Sequence, residues 1–157
     1  MLLDTRPPRG GGGAEPWRDE PNRVAWRDAA TGLQCLILRG PLGALNGYVR
    51  VPRDHPLHGK RCGQRRVERG LVVHGGLTFS GCLRTRSMKR GHWFGFDCAH
   101  WRDLVPGLIE LRAGLPEELA EMLAQNQGAP LEVYRPVSYV RDECTALAQQ
   151  LARKGTR

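Results

Sequence analysis

The sequence predicts an α+β fold in which an antiparallel sheet of about five strands is followed by two C-terminal helices packed on one face. Short apolar segments separated by glycine and proline occupy residues 23–100, and longer segments with helical apolar spacing follow them. Strands first and helices last are typical of an α+β domain. The 157 residues, 40% of them hydrophobic, suffice for a single globular domain over residues 23–157. Residues 1–22, rich in proline and glycine, are predicted to be a disordered tail.

Five strands are predicted because short apolar runs are bounded by turn-forming residues. Gly32 can adopt the positive φ of a turn between the first two strands, and Pro52 ends the third. Residues 53–70 are polar and without periodicity, which indicates a loop, and residues 80–91 form a basic hairpin loop. In chain order, the predicted strands are residues 24–26, 33–38, 47–51, 71–79 and 92–100.

The segment after residue 100 carries the helical signals. Residues 101–114 are predicted to be a loop or a short helical turn, and residues 115–128 a helix with proline in its first turn and glycine at its end. The last helix, residues 136–154, is predicted to begin with Ser138 as its N-cap. Its apolar residues recur at helical spacing and form one stripe: Val140, Cys144, Leu147 and Leu151.

Composition excludes several classes of protein. No apolar run approaches the ~20 residues that span a membrane, and the N-terminus lacks the basic start and apolar core of a signal peptide. We therefore expect a cytoplasmic protein without membrane contact. The five cysteines are scattered and contain no C-x-x-C pair, which favours reduced thiols over a zinc knuckle or a redox site.

Positive charge is concentrated in the middle of the chain. Residues 50–102 contain twelve basic and three acidic residues, a net charge of +9, whereas the whole chain carries +8. Arginine outnumbers lysine 21 to 3, which either reflects genome composition or supplies the planar fork that binds phosphate. A concentrated arginine segment favours an anionic partner.

Histidines and carboxylates at predicted strand ends form the candidate site. His100 ends the core face of the fifth strand, Asp97 lies on its opposite face, and Asp103 follows three residues after His100. His74 precedes two glycines that would permit close approach of a ligand. Because histidine titrates near neutrality and a carboxylate can orient its ring, the predicted catalytic residues are His74, Asp97, His100 and Asp103.

The same segments could instead bind a divalent metal. The candidate ligands are His74, Cys98 and His100. Each residue also has a purely structural interpretation: a hydrogen-bonded core histidine, a loop-capping carboxylate or a small buried thiol. Cys98 is not favoured as a nucleophile because its strand face points into the core.

Four segments, NGYVRVPRDHPLHG, VHGGLTFSG, FGFDCAHWRDLVPG and YRPVSYVRDECTALAQQL, together resemble a family of small proteins of phages and bacteria. The resemblance covers about residues 24–151 and implies no established activity, fold or cofactor. Phe79 stands where the family has tyrosine, and the arginine excess after His58 and Ser80 is not a family feature. The positions that match the family are Gly47, Tyr48, His55, Pro56, His74, Gly75, Gly76, Thr78, Gly95, Phe96, Asp97, Cys98, His100 and Asp103.

The favoured hypothesis is a small-molecule site for a phosphorylated nucleotide. If the site turns its ligand over, the expected activity is that of a metal-assisted phosphodiesterase or hydrolase. A phage-type protein would gain from sequestering or destroying a nucleotide signal of host defence. The alternative is a nucleic-acid-binding module that uses the basic segment 50–102, and a third class is a protein–protein adaptor. The oligomeric state is left open. The residues predicted to bind the ligand are Tyr48, His55, Gly75, Gly76, Thr78, Arg84, Arg86 and Trp93.

Overall fold

The computed structural model describes residues 15–83, 91–125 and 132–156. Five strands form one antiparallel sheet in the order β1-β2-β3-β5-β4. The predicted α+β class and the antiparallel sheet are therefore confirmed. The strands are β1 Arg23–Arg27, β2 Gln34–Arg39, β3 Leu45–Val51, β4 Phe79–Cys82 and β5 His92–Asp97.

One short helix lies between the third and fourth strands, and the longer helices follow the fifth strand. The helices are α1 Arg65–Glu68, α2 Pro106–Ala113, α3 Glu117–Gln125 and α4 Val137–Gly155. α4 packs on one face of the sheet, against β2 and β3. All four residues of the predicted apolar stripe on α4 are fully buried. The packing of a second C-terminal helix on the sheet stays a prediction.

The core lies between α4 and the sheet face that carries Ile37, Val49 and Phe94. Alternation along β3 buries every second residue, as expected for a strand with one face in the core. Gly47 occupies the middle of this face. A Cβ there would overlap the Phe96 ring and lie 2.7 Å from Cys144 Sγ, so the close approach of α4 to β3 requires glycine.

The predicted fourth strand, residues 71–79, is wrong over most of its length. Gly75 and Gly76 adopt φ of +62° and +85°, so the chain turns there, and pairing begins only at Phe79. The fifth strand ends at Asp97, three residues before the predicted end. The predicted loop 53–70 contains the one-turn helix α1.

Residues 15–22 are more ordered than their composition indicates. Residues 1–14 lie outside the described residues, but residues 15–22 are described and contain a 3-10 turn. Glu20 Oε1 accepts a hydrogen bond from Val137 N–H (2.8 Å), and Glu20 Oε2 accepts one from the Tyr134 hydroxyl (2.7 Å). α4 is therefore capped by a distant carboxylate, and the predicted N-cap, Ser138, lies inside the helix.

Within the described part of the chain, no helix combines the length and the apolar character that a membrane span requires.

Candidate active site

The candidate site lies where the loop after β5, the turn at Gly75 and the start of α4 meet. The His74 backbone N–H donates to Glu143 Oε2 on α4 (2.7 Å), which fixes the turn against the helix. The loop after β5 is held by a bridge to residue 133, through the Val133 N–H and the Arg102 carbonyl (2.9 Å). Three separate segments thus bring polar side chains to one place.

Asp103 lies at the centre of this arrangement, with its side chain only 1% exposed. Its Oδ1 accepts from Arg135 Nε (2.8 Å), and its Oδ2 accepts from His74 Nε2 (2.7 Å) and from the His100 backbone N–H (3.0 Å). Burial opposes the charge, but the hydrogen bonds from Arg135, His74 and His100 outweigh it and hold the pKa of the carboxyl below its usual value. Asp103 is therefore an ionised, fully bonded anion.

His74 is held from both sides of its ring. Because the Asp103 carboxylate can only accept, Nε2 carries the proton of that hydrogen bond. Nδ1 lies 3.0 Å from the Tyr139 hydroxyl, and burial raises the pKa of this phenol, so Tyr139 keeps its proton and can donate it to a neutral His74 ring. Both ring nitrogens of His74 thus have partners, and its orientation is fixed.

His100 differs from His74 in that Nδ1 is buried and has no hydrogen-bond partner among the described residues. Nδ1 lies 3.6 Å from Asp97 Oδ1 and 3.8 Å from Asp103 Oδ2, beyond hydrogen-bond distance in both cases. The His100 side chain is 32% exposed, and its ring centre lies 5.5 Å from that of His74. His100 is therefore the member of the cluster that remains available to a ligand.

Gly75 allows this arrangement. A Cβ at this position would overlap the His100 ring, and the positive φ of Gly75 disfavours any other residue. Gly76 also has a positive φ, but a Cβ there would meet open space. The close approach predicted from the sequence is thus made at Gly75, and the group that approaches is the His100 ring.

His74, His100 and Asp103 could hold a metal ion. One nitrogen of each histidine and one carboxylate oxygen all lie within 4.8 Å of one another. Two imidazoles and a carboxylate are a common ligand set of catalytic zinc sites, which keep a further position open for water or substrate. Ligation through His74 Nε2 would replace the hydrogen bond to Asp103, and Tyr139 could then accept from the Nδ1 proton.

Cys98, the third metal candidate from the sequence, is not a member of this group of three. Its side chain is buried, and burial raises the pKa of the thiol to about 12. Asp97 lies at the rim of the cluster with one third of its side chain exposed, and its Oδ1 accepts from the Ala99 N–H (3.1 Å).

The structure places the predicted ligand-binding residues in different regions. Tyr48 and Trp93 lie on the sheet face opposite α4. Thr78 immediately precedes β4, and its N–H donates to the Gly95 carbonyl (2.9 Å). His55 Nε2 bonds the Leu151 carbonyl (2.9 Å) at the far end of α4. Twelve residues separate Leu151 from Tyr139, about 18 Å along the helix at 1.5 Å per residue. Two further residues of this prediction, Arg84 and Arg86, lie outside the described residues.

α4 and the turn that precedes it supply partners that the sequence did not predict: Arg135, Tyr139 and Glu143. A signal for two of them was available, since Tyr139 and Glu143 each precede a residue of the apolar stripe by one position. They therefore lie at the edge of the buried face, where a polar tip can reach a neighbouring loop.

Trp101 and Arg102 form an exposed aromatic and basic edge next to His100. Trp101 is 76% exposed, and the Arg102 guanidinium carbon lies 5.9 Å from the centre of the Trp101 ring. Arg102 has φ of +79°, a left-handed conformation that non-glycine residues rarely adopt. An exposed tryptophan on a constrained turn is a feature of ligand-binding surfaces.

Comparison with protein-family models, with curated proteins and with solved structures found no match to this chain. The family resemblance of the sequence motifs therefore stays a prediction.

Proposed function

We propose that the protein binds a phosphorylated nucleotide at the cluster of His74, His100 and Asp103 and hydrolyses a phosphate ester there with the help of a divalent metal ion. The observation that carries this proposal is the buried Nδ1 of His100, which has no hydrogen-bond partner among the described residues although two carboxylates lie nearby. A buried polar atom left unpaired costs about 1–3 kcal/mol. A ligand atom or an ion at this position would recover that free energy.

The donor set supports a metal of the zinc type. Imidazole nitrogen and carboxylate oxygen are ligands that Zn²⁺ prefers, and the three candidate ligand atoms lie within 4.8 Å of one another. A bound metal would polarise a phosphoryl oxygen and lower the pKa of a water molecule. Arg135 supports the site through Asp103, because its hydrogen bond keeps that carboxylate ionised and oriented.

The surroundings of His100 suit a nucleotide. Trp101 offers an exposed ring on which a base can stack. Arg102 lies against the same ring and could bind a phosphate with its planar fork. Base stacking and phosphate binding on adjacent residues, next to the histidines, support a ligand that contains both groups.

Asp97 is the residue best placed to move the proton. Its carboxylate is one third exposed and lies at the rim of the cluster. In the proposed reaction, Asp97 accepts a proton from the attacking water while the water oxygen bonds to phosphorus. The ester P–O bond breaks, and the proton passes to the leaving oxygen, so that an alcohol and a phosphate are released.

The experiment measures metal content and hydrolysis on the same preparations. We expect about one zinc per chain by mass spectrometry after dialysis against Zn²⁺, and hydrolysis of bis(4-nitrophenyl) phosphate or of a nucleotide. His100→Ala should lose both, whereas the matched control His58→Ala should retain both. His58 contacts His92 and is not a member of the cluster.

If the wild-type protein cleaves the substrate without bound zinc and His100→Ala abolishes this cleavage, the proposed role of the metal is overturned. The histidines would then act as acid–base groups. A wild-type protein that neither binds a nucleotide nor cleaves any phosphate ester would overturn the proposed function.

A further inference from the structure

A second charged surface lies at the other end of α4. Two adjoining cavities, of about 670 and 1020 Å³, share Arg69 and Lys154 in their linings. They lie between α1 and the last turn of α4. We call this surface the basic groove and define it by its cationic residues: Arg65, Arg66, Arg69, Arg153 and Lys154.

The charges of the basic groove are poorly balanced. All four arginines are exposed, and Glu68 is the acid among the residues that line the two cavities. Its Oε1 already accepts from the Gly63 N–H (2.6 Å). Five cations with a single carboxylate give this exposed surface a net positive charge, which attracts an anionic partner.

Helix electrostatics account for only part of this cluster. Arg153 and Lys154 lie in the last turn of α4, where positive side chains complement the negative end of the helix dipole. The three arginines of residues 65–69 have no such role toward α4. Lys154 Nζ donates to the Arg69 carbonyl (2.5 Å), so the two sides of the groove are joined and present their cations together.

We propose that the basic groove binds the phosphodiester backbone of a single-stranded nucleic acid. Arginine supplies the bidentate fork that matches phosphate. The surface is concave, which suits a strand better than a flat membrane. Among the described lining residues, none is aromatic, and the large apolar ones are Pro56 and Leu57. Binding should therefore depend on phosphates and be independent of base sequence.

This site is separate from the proposed nucleotide site. Tyr139 and Lys154 are fifteen positions apart on α4, about 22 Å at 1.5 Å per residue. The proposal does not depend on hydrolysis at the histidines.

The test is fluorescence anisotropy of a labelled oligothymidylate of about 12 nucleotides, the length scale of a single-strand site. If the five cations each contact a phosphate, affinity should fall about 100-fold between about 50 and 200 mM salt. The double variant Arg65→Gln/Arg66→Gln should bind at least about tenfold more weakly and show a smaller salt dependence. Its melting temperature should be unchanged because both side chains are exposed.

The matched control is Arg27→Gln/Arg141→Gln, which removes the same charge from exposed arginines outside the groove. Normal binding by this control supports the groove. Equal loss in both double variants would show that net charge alone attracts the oligonucleotide and would overturn the proposal. If poly-glutamate competes at equal charge, the proposal is overturned in favour of an acidic protein. If the protein binds anionic lipid vesicles but no oligonucleotide, it is overturned in favour of a membrane.

Discussion

The charged side chains at the two ends of α4 differ in their burial and in their partners. At its N-terminal end, Asp103 is buried and each of its oxygens is bonded, to Arg135, His74 and a backbone N–H. At its C-terminal end, arginines of the basic groove are exposed to solvent. A buried charge must be paired, because an unpaired one costs several kcal/mol, whereas an exposed charge keeps its hydration. The polar side chains of the first region therefore contribute to stability, and the exposed charges of the second contribute little.

The largest effect should follow from removing the buried anion. Asp103→Ala should lower the free energy of unfolding by about 3 kcal/mol, because it removes three charge-assisted hydrogen bonds and leaves His74 and Arg135 without their acceptor. Asp97→Ala, at the exposed rim, should cost about 0.5 kcal/mol or less. Urea denaturation measures both values. Equal costs would show that burial does not distinguish the two carboxylates.

A second effect separates the two adjacent glycines of the turn. Gly75→Ala should cost about 2–3 kcal/mol and abolish zinc uptake, because the new methyl group overlaps the His100 ring and φ is positive. Gly76→Ala meets open space and should cost only the backbone strain, about 1 kcal/mol. Thermal unfolding and zinc content compare the two variants. Equal zinc uptake by the two variants would show that the site does not require glycine at position 75.

A smaller difference in the free energy of unfolding is expected between the arginines at the two ends of α4. Arg135→Gln should cost about 1 kcal/mol, since the Asp103 carboxylate keeps its charge but loses its strongest donor. Arg66→Gln, on the exposed groove, should change the free energy of unfolding by less than about 0.5 kcal/mol. Chemical denaturation of the two single variants is the measurement. A costly Arg66→Gln would mean that the groove is needed for folding.

The smallest effect concerns thiol reactivity. Cys98 lies beside the histidine cluster and is buried, and burial raises its pKa to about 12, as it does for Cys35. Cys62 and Cys82 are more accessible. A thiol reagent at neutral pH should therefore label two cysteines per chain rapidly, and mass spectrometry of peptides should identify Cys62 and Cys82. Rapid labelling of Cys98 in the native protein would contradict the burial of this thiol beside the histidine cluster.

The sequence predicted those parts of the fold that depend on local periodicity. The stripe on α4 and the short alternating strands were found because their spacing is visible within a few residues. The fourth strand was misplaced because residues 71–73 and 77–79 form one apolar run around two glycines. Only the backbone angles at Gly75 and Gly76 show that the run is a turn.

The candidate site was predicted in part for a related reason. His100 and Asp103 are close in sequence, and His74 was included because of its glycines. Arg135 was missed because 32 residues separate it from Asp103, and such contacts arise from tertiary packing that a local pattern does not encode. The basic groove shows the same limit, since Lys154 joins Arg69 across 85 residues.

The contact between Glu20 and the start of α4 has a consequence for the length of chain that the site requires. Composition places the domain boundary at residue 23, and a protein shortened to that boundary would retain every residue of the histidine cluster. It would lack the carboxylate that bonds Val137 N–H and the Tyr134 hydroxyl. Tyr134 and Val137 flank Arg135, the residue that holds Asp103. A proteolytic cut after Glu20 would therefore loosen the support of Asp103, although the cut is remote from Asp103 in sequence.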